Sequence, residues 1–410
     1  MAGQGRTAVA RRTAGLGLAG LLLLLSGCTG AEEPPLDPTA EEIQDTLDDR
    51  ATAVLGQDRA GWLAALDPAE GALRTAQGEE FDNLAGVPLE SWEYHVTGVR
   101  HQGGRAVADT ELRYRIEGYD SAPVSSSRVI ELAERGGRWY VTAERPGTGA
   151  PQELWQQGAV RAVRGEHSLV LGVGREESEL RELAAATDRA VPTVRAGWPG
   201  EWAGRVVVLV PSSVESMGRL LGAPAAGYRG IAAVTTGEAG GGEGSPADRV
   251  IVNPQAYGLL GELGKDVVLA HETTHVATRA DTSAATPMWL SEGFADWVAY
   301  RETGRTDPEI APELRDAVRA GELPAALPDD EDFAFGGDGD ALARAYEGGR
   351  LACALVAERW GEERLVDFYR AVGAGAHRDG SVEHALAQVL GTTAEEFTAA
   401  WRDYLRERLG

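Results

Sequence analysis

One short run constrains this 410-residue chain more than any other feature: His271-Glu272-Thr273-Thr274-His275, set directly behind the apolar stretch Val267-Val268-Leu269-Ala270. Successive residues of a helix turn by about 100°, so two histidines four apart lie nearly one above the other, and both imidazoles reach one point. Glu272 projects at a neighbouring angle, close to that point. Two imidazoles on one helical face suit a Zn²⁺ ion, and a carboxylate beside them can serve as a base for water at the ion's open position. The plainer alternative is a pair of histidines satisfied on a helix surface.

Zinc held by two histidines needs a third protein ligand and leaves its fourth position to water. Pro287-Met288-Trp289-Leu290-Ser291-Glu292-Gly293 offers one. Pro287 is expected to start a helix with Thr286 as its cap, which puts Glu292 on the second turn. Asp296 follows four residues on, on the same face, where its carboxylate can accept a proton from a ligating imidazole and fix its tautomer. Asp281 is the rival third ligand.

Together these two segments resemble the gluzincins, specifically the bacterial peptidase MA-like group, over roughly residues 151–410. The resemblance implies zinc bound by His271, His275 and Glu292, Glu272 as general base, and hydrolysis of peptide bonds. It also implies that Tyr346, in Ala345-Tyr346-Glu347-Gly348-Gly349-Arg350-Leu351, hydrogen-bonds the oxyanion; His377 and His384 are weaker candidates for that role. On its residues alone, a tyrosine beside alanine and leucine reads equally as core. Sixteen residues separate His275 from Glu292, fewer than in the well-known aminopeptidases, and no G-x-M-E-N exopeptidase motif occurs. Asp281 stands where metzincins place their last ligand, but their turn requires a glycine where this chain has Thr278.

The N-terminus speaks to location. Arg11 and Arg12 precede a ten-residue apolar run, Leu16 to Leu25, about half of what a helix needs to cross a bilayer. That is the size of a secretory signal's apolar segment. Leu25-Ser26-Gly27-Cys28 resembles a bacterial lipobox, in which the cysteine is acylated and becomes the new N-terminus. Residues 1–27 therefore read as a lipoprotein signal peptide and 28–39 as a tether, giving an extracytoplasmic chain lipid-anchored to the cell membrane through Cys28. The alternative is an ordinary cleaved signal with Cys28 incidental.

Two folded units are expected, an α+β fold class overall. In residues 40–147, Ile43, Leu47 and Val54 recur at helical spacing, and Trp62, Leu63 and Leu66 form a second helix ending at Pro68. The period then changes to two, in Trp92-Tyr94-Val96, in Ala106 to Ile116 and in Trp139-Val141-Ala143, with Gly103-Gly104 and Gly136-Gly137 between. This order resembles the cystatin-like roll of the nuclear transport factor-like superfamily. Residues 148–410 alternate strands (167–173, 205–210, 231–235, 249–252) with a helix at 176–194, then turn helical after Asp266. The gluzincin resemblance makes this part a thermolysin-like zinc peptidase domain, a mixed sheet plus a helical C-terminal part. Gly237 to Gly244 lacks the lysine and following helix of a phosphate cradle.

With 64 acidic against 39 basic residues and a formal charge of -25, the chain repels phosphate backbones, which excludes nucleic acid as a partner. Two cysteines, Cys28 and Cys353, build neither a disulfide framework nor a thiolate metal site; Cys353 reads as a small buried apolar residue. The functional expectation is a membrane-anchored zinc metallopeptidase acting on a peptide or protein substrate, with residues 231–235 as the strand along which substrate lies. The alternative is a ligand-binding lipoprotein on a catalytically degenerate zinc-peptidase scaffold. A non-peptide amide as substrate would use the same residues.

Overall fold

Ile43, Leu47 and Val54 lie on the buried stripe of the first helix, α1 (Pro38–Leu55). The computed structural model describes residues 38–236, 248–334, 338–375 and 377–410. The leader, Cys28, the tether as far as Asp37 and the glycine-rich run 237–244 lie outside these residues. Helix α1 takes in Pro38 and Thr39, so helix begins two residues before Ala40. Two helices follow, α2 (Arg59–Ala64) and α3 (Gly71–Leu84). The sequence reading lacks α3, because its polar and glycine-containing run buries only Gln77, Gly78 and Leu84 and leaves no clear apolar stripe.

Strands β1 (Leu89–Gln102), β2 (Arg105–Ile116), β3 (Val124–Glu134) and β4 (Trp139–Pro146) pair in sequence order as an antiparallel sheet. Trp92, Tyr94 and Val96 are buried and alternate with exposed residues, the pattern of a sheet with one face on a core. Gly103 turns the first hairpin at φ +60°, and Gly136 and Gly137 turn the third at +62° and +81°, values that cost a glycine little. β3 went unrecognised as a run because its inward positions Ser126 and Arg128 are polar yet buried.

A second sheet holds β5 (Val160–Arg164), β6 (Ser168–Val173), β7 (Val206–Val210), β8 (Ala233–Thr236) and β9 (Arg249–Val252), in the order β5-β6-β7-β9-β8. β6, β7 and β9 run parallel; β5 and β8 are antiparallel edges. Helix α4 (Glu177–Gly197) connects β6 to β7, and α5 (Val214–Leu220) follows β7. Both faces of this sheet are covered. Leu169 and Leu171 join the core of the four-stranded sheet, whereas Val170, Val208 and Val250 pack with Leu180 and Val191 of α4. Burial on both faces explains the unbroken β-branched runs.

The remainder is helical: α6 (Pro254–Gly258), α7 (Glu262–Thr278), α8 (Met288–Tyr300), α9 (Asp307–Ile310), α10 (Pro312–Arg319), α11 (Gly339–Trp360), α12 (Glu362–Gly373), α13 (Ser381–Ala385) and α14 (Ala394–Leu409). Phe294, Leu351, Phe368 and Trp401 centre their core. Helices α8 and α11 touch backbone to backbone. A Cβ at Gly293 would lie 2.3 Å from the carbonyl carbon of Gly349, and one at Gly349 would lie 2.6 Å from the carbonyl oxygen of Trp289. Among the described residues no helix is long and apolar enough to cross a membrane.

Candidate metal centre

Helix α7 runs beneath the edge strand β8 and carries His271 and His275 one turn apart, with ring centroids 4.8 Å from each other. Helix α8 crosses it and delivers Glu292. The Nε2 atoms of the two histidines are 3.1 Å apart, and Glu292 Oε2 lies 3.2 Å from His271 Nε2 and 3.5 Å from His275 Nε2. Ligand atoms at the corners of a tetrahedron with bonds of ~2.0–2.1 Å sit about 3.3–3.4 Å from one another. The donor set, two imidazoles and a carboxylate, and its spacing both fit zinc. Among the described residues this is the one group of three or more histidines, cysteines or acids that could hold an ion.

Asp296, one turn beyond Glu292 on α8, lies 2.8 Å from His271 Nδ1. With Nδ1–H donating to that carboxylate, the lone pair is on Nε2, facing Glu292 and His275. Burial would depress His271, yet hydrogen bonds to Asp296 and Glu292 hold it well above the ordinary histidine value. Burial likewise opposes ionisation of Glu292, and the charge of His275 with bonds from both imidazoles reverses it, holding the carboxyl well below its usual range. A metal ion competes with that proton for the same nitrogen.

Glu272 is 7% exposed. Its Oε2 accepts a 2.6 Å hydrogen bond from the Thr235 hydroxyl on β8. The centre lies in a cleft of about 710 Å³ whose lining includes residues 231–235 and Leu342, Ala343 and Tyr346 of α11. Tyr346 packs edge-on against Phe333, ring centroids 5.1 Å apart, and 6.3 Å from the His271 ring. Burial, reinforced by the Glu292 and Asp296 carboxylates, pushes its phenol far above the normal value, so Tyr346 stays a proton donor.

The structure thus brings His271, Glu272, His275, Glu292, Asp296 and Tyr346 to one cleft. It does not bring Asp281, whose side chain is 37% exposed and faces Arg370 at 3.9 Å. His377 and His384 are exposed and do not line the cleft. Cys353 is fully buried, and burial pushes its thiol up. Helix α8 starts differently from the expectation. Pro287 is itself the extended cap residue, and Met288 is the first helical position. Asp330 Oδ1 accepts from the Met288 amide at 2.8 Å, while the Thr286 hydroxyl is spent on the Ser283 amide.

Among the lining residues, Arg279 and Tyr300 were given no role by the sequence, and Thr235 was placed only in the substrate-side strand 231–235, without its contact to Glu272. Arg279 continues the four-residue rhythm of His271 and His275, a signal that was present in the sequence. Its Nε donates to Asp248 at 2.8 Å. Tyr300 reaches the cleft, and the Thr235 hydroxyl reaches Glu272, by tertiary placement, which no local pattern announces.

No protein-family model matches the sequence, and no curated protein matches it. Solved structures that resemble it include a mutant of a two-domain M1 zinc metallopeptidase bound to L-arginine, at 14% identity over 78% of this chain and 75% of that one, TM-score 0.36. A mutant M1 zinc metallopeptidase from Deinococcus radiodurans is 15% identical over 77% of this chain and 74% of that one, TM-score 0.33. A SEC-C motif containing protein from Rhodopseudomonas palustris aligns with 24% of this chain and 73% of its own, at 18% identity and TM-score 0.19.

Proposed function

We propose that this chain is a lipid-anchored, extracytoplasmic zinc peptidase of gluzincin type. The observation that carries the reading is the convergence of His271, His275 and Glu292 at ligand spacing beside a buried Glu272, with Asp296 on the far nitrogen of His271. A purely structural site has no use for a carboxylate base next to the ligands. His271, His275 and Glu292 would hold the ion, and its chemistry is Lewis acidity, polarising a carbonyl oxygen and acidifying water.

The protein's own groups do the rest. Glu272 takes the proton of the attacking water and returns it to the leaving amine. Tyr346 donates a hydrogen bond to the carbonyl oxygen as negative charge develops there. β8 is the sheet's edge, and residues 231–235 line the cleft, so an extended peptide gains backbone hydrogen bonds by adding as a further strand. The lipobox-like setting of Cys28, Leu25-Ser26-Gly27-Cys28, supports a membrane placement through its acylation.

Chelation tests the reading. The mature chain should cleave members of a broad peptide library, lose that activity in a chelator, and regain it with zinc but not magnesium. Zinc binding at one ion per chain with no cleavage of any library member would favour the binding-lipoprotein alternative.

A further inference from the structure

We infer that Thr235 is a positioning residue for Glu272, tying the base to the strand edge that lines the cleft. This rests on the peptidase reading above. Thr235 sits on β8, where Ala233 pairs with Val252 and Thr235 with Val250 of β9. Its hydroxyl lies 2.6 Å from Glu272 Oε2 and 3.1 Å from the Glu272 carbonyl oxygen. One side chain therefore meets both the backbone and the carboxylate of the base, across 37 residues of sequence.

The chemistry calls for such a contact. A glutamate has three rotatable side-chain bonds, and a base works only when its oxygen is held within reach of the proton it removes. With Oε2 bound to Thr235, rotation about the terminal bond is stopped and Oε1 is left to accept the proton. A carboxylate bond of this kind is charge-assisted and stronger than a neutral one. The bond also runs from the one strand that an incoming peptide would pair with, so the placement of the peptide and that of the base share a single element. Thr235 touches neither the three ligand atoms nor the substrate carbonyl in this scheme; it acts through Glu272.

Valine has the shape and strand preference of threonine without the hydroxyl, which makes Thr235→Val a clean probe. Its kcat should fall by roughly 10²-fold, the scale of a misplaced reacting group, while KM, zinc content and melting temperature stay near wild type. Thr235→Ser keeps the hydroxyl and should restore kcat to within a few-fold of wild type. A wild-type kcat in Thr235→Val, a loss in KM alone, or a serine variant as slow as the valine variant would overturn the inference. Crystal structures of zinc-loaded wild type and Thr235→Val add a readout that needs no turnover. Glu272 should hold one rotamer in the first and shift or split in the second, and an unchanged rotamer would overturn the inference. A wild type that binds zinc and cleaves nothing refutes the peptidase reading instead, and the Glu272 rotamer still decides the role of Thr235.

Discussion

His271 and His275 were legible because a four-residue spacing is a geometric statement about any helix, and the apolar run before them makes a helix there. Glu292 and Asp296 were legible for the same reason once α8 was recognised. Their meeting with α7 is a tertiary fact that spacing cannot supply. Thr235 marks where residue-level reading stops: nothing in Ala-Val-Thr-Thr signals that one hydroxyl reaches a carboxylate on another element. At this scale the bond between Asp296 and His271 Nδ1 yields a test. Asp296→Asn keeps the shape and exchanges a charged acceptor for a neutral one, so zinc affinity or activity should drop by about 10–100-fold, measured by metal competition and initial rates. No loss in either would leave Asp296 as an ordinary helix residue.

Elements with a regular period announced themselves, and elements with a compromised one did not. α1 and β1 each carry a clean apolar pattern. α3 and β3 bury Gln77, Ser126 and Arg128 at positions where the pattern demands apolar residues, so the period is blurred. The start of α8 shows how long-range partners override local signals: Asp330, far along the chain, takes the helical amide that Thr286 was expected to cap. The crossing of α8 and α11 makes the most specific demand on side-chain size. Gly293 directly follows Glu292, and a methyl group there would collide with the backbone of Gly349. Gly293→Ala should destabilise the fold by about 1–3 kcal/mol, as overpacking does, and weaken zinc binding by shifting Glu292. Thermal melting with and without zinc measures both; an unperturbed melting temperature would show that the helices separate freely.

Over the whole molecule, the sequence's two patterns, a meander followed by alternating strands and helices, appear as two sheets. Their sharing of one hydrophobic cluster was not foreseeable, since each sheet's period reports only that a face is buried and not against what. A buried ion pair adds to that contact. Arg249, first residue of β9, makes two hydrogen bonds of 2.8 and 2.7 Å to Asp120 in the loop after β2, with side chains 7% and 1% exposed. Removing one partner strands a buried charge, so Asp120→Ala should cost about 3–5 kcal/mol in urea unfolding, while Asp120→Ala combined with Arg249→Met should recover much of it. Equal stability of the single variant and wild type would mean that water reaches Arg249.

The central claim is that the centre on α7 and α8 is built for hydrolysis, and Glu272→Gln measures it most directly. Glutamine keeps the size and can still accept the Thr235 hydroxyl, but it cannot take a proton from water at neutral pH. His271, His275 and Glu292 are untouched, so zinc content should stay at the wild-type level. Turnover of the same preparation should fall by ~10²–10⁴-fold, the scale of lost acid–base help. A Glu272→Gln protein that retains zinc and cleaves peptide at the wild-type rate would contradict the account.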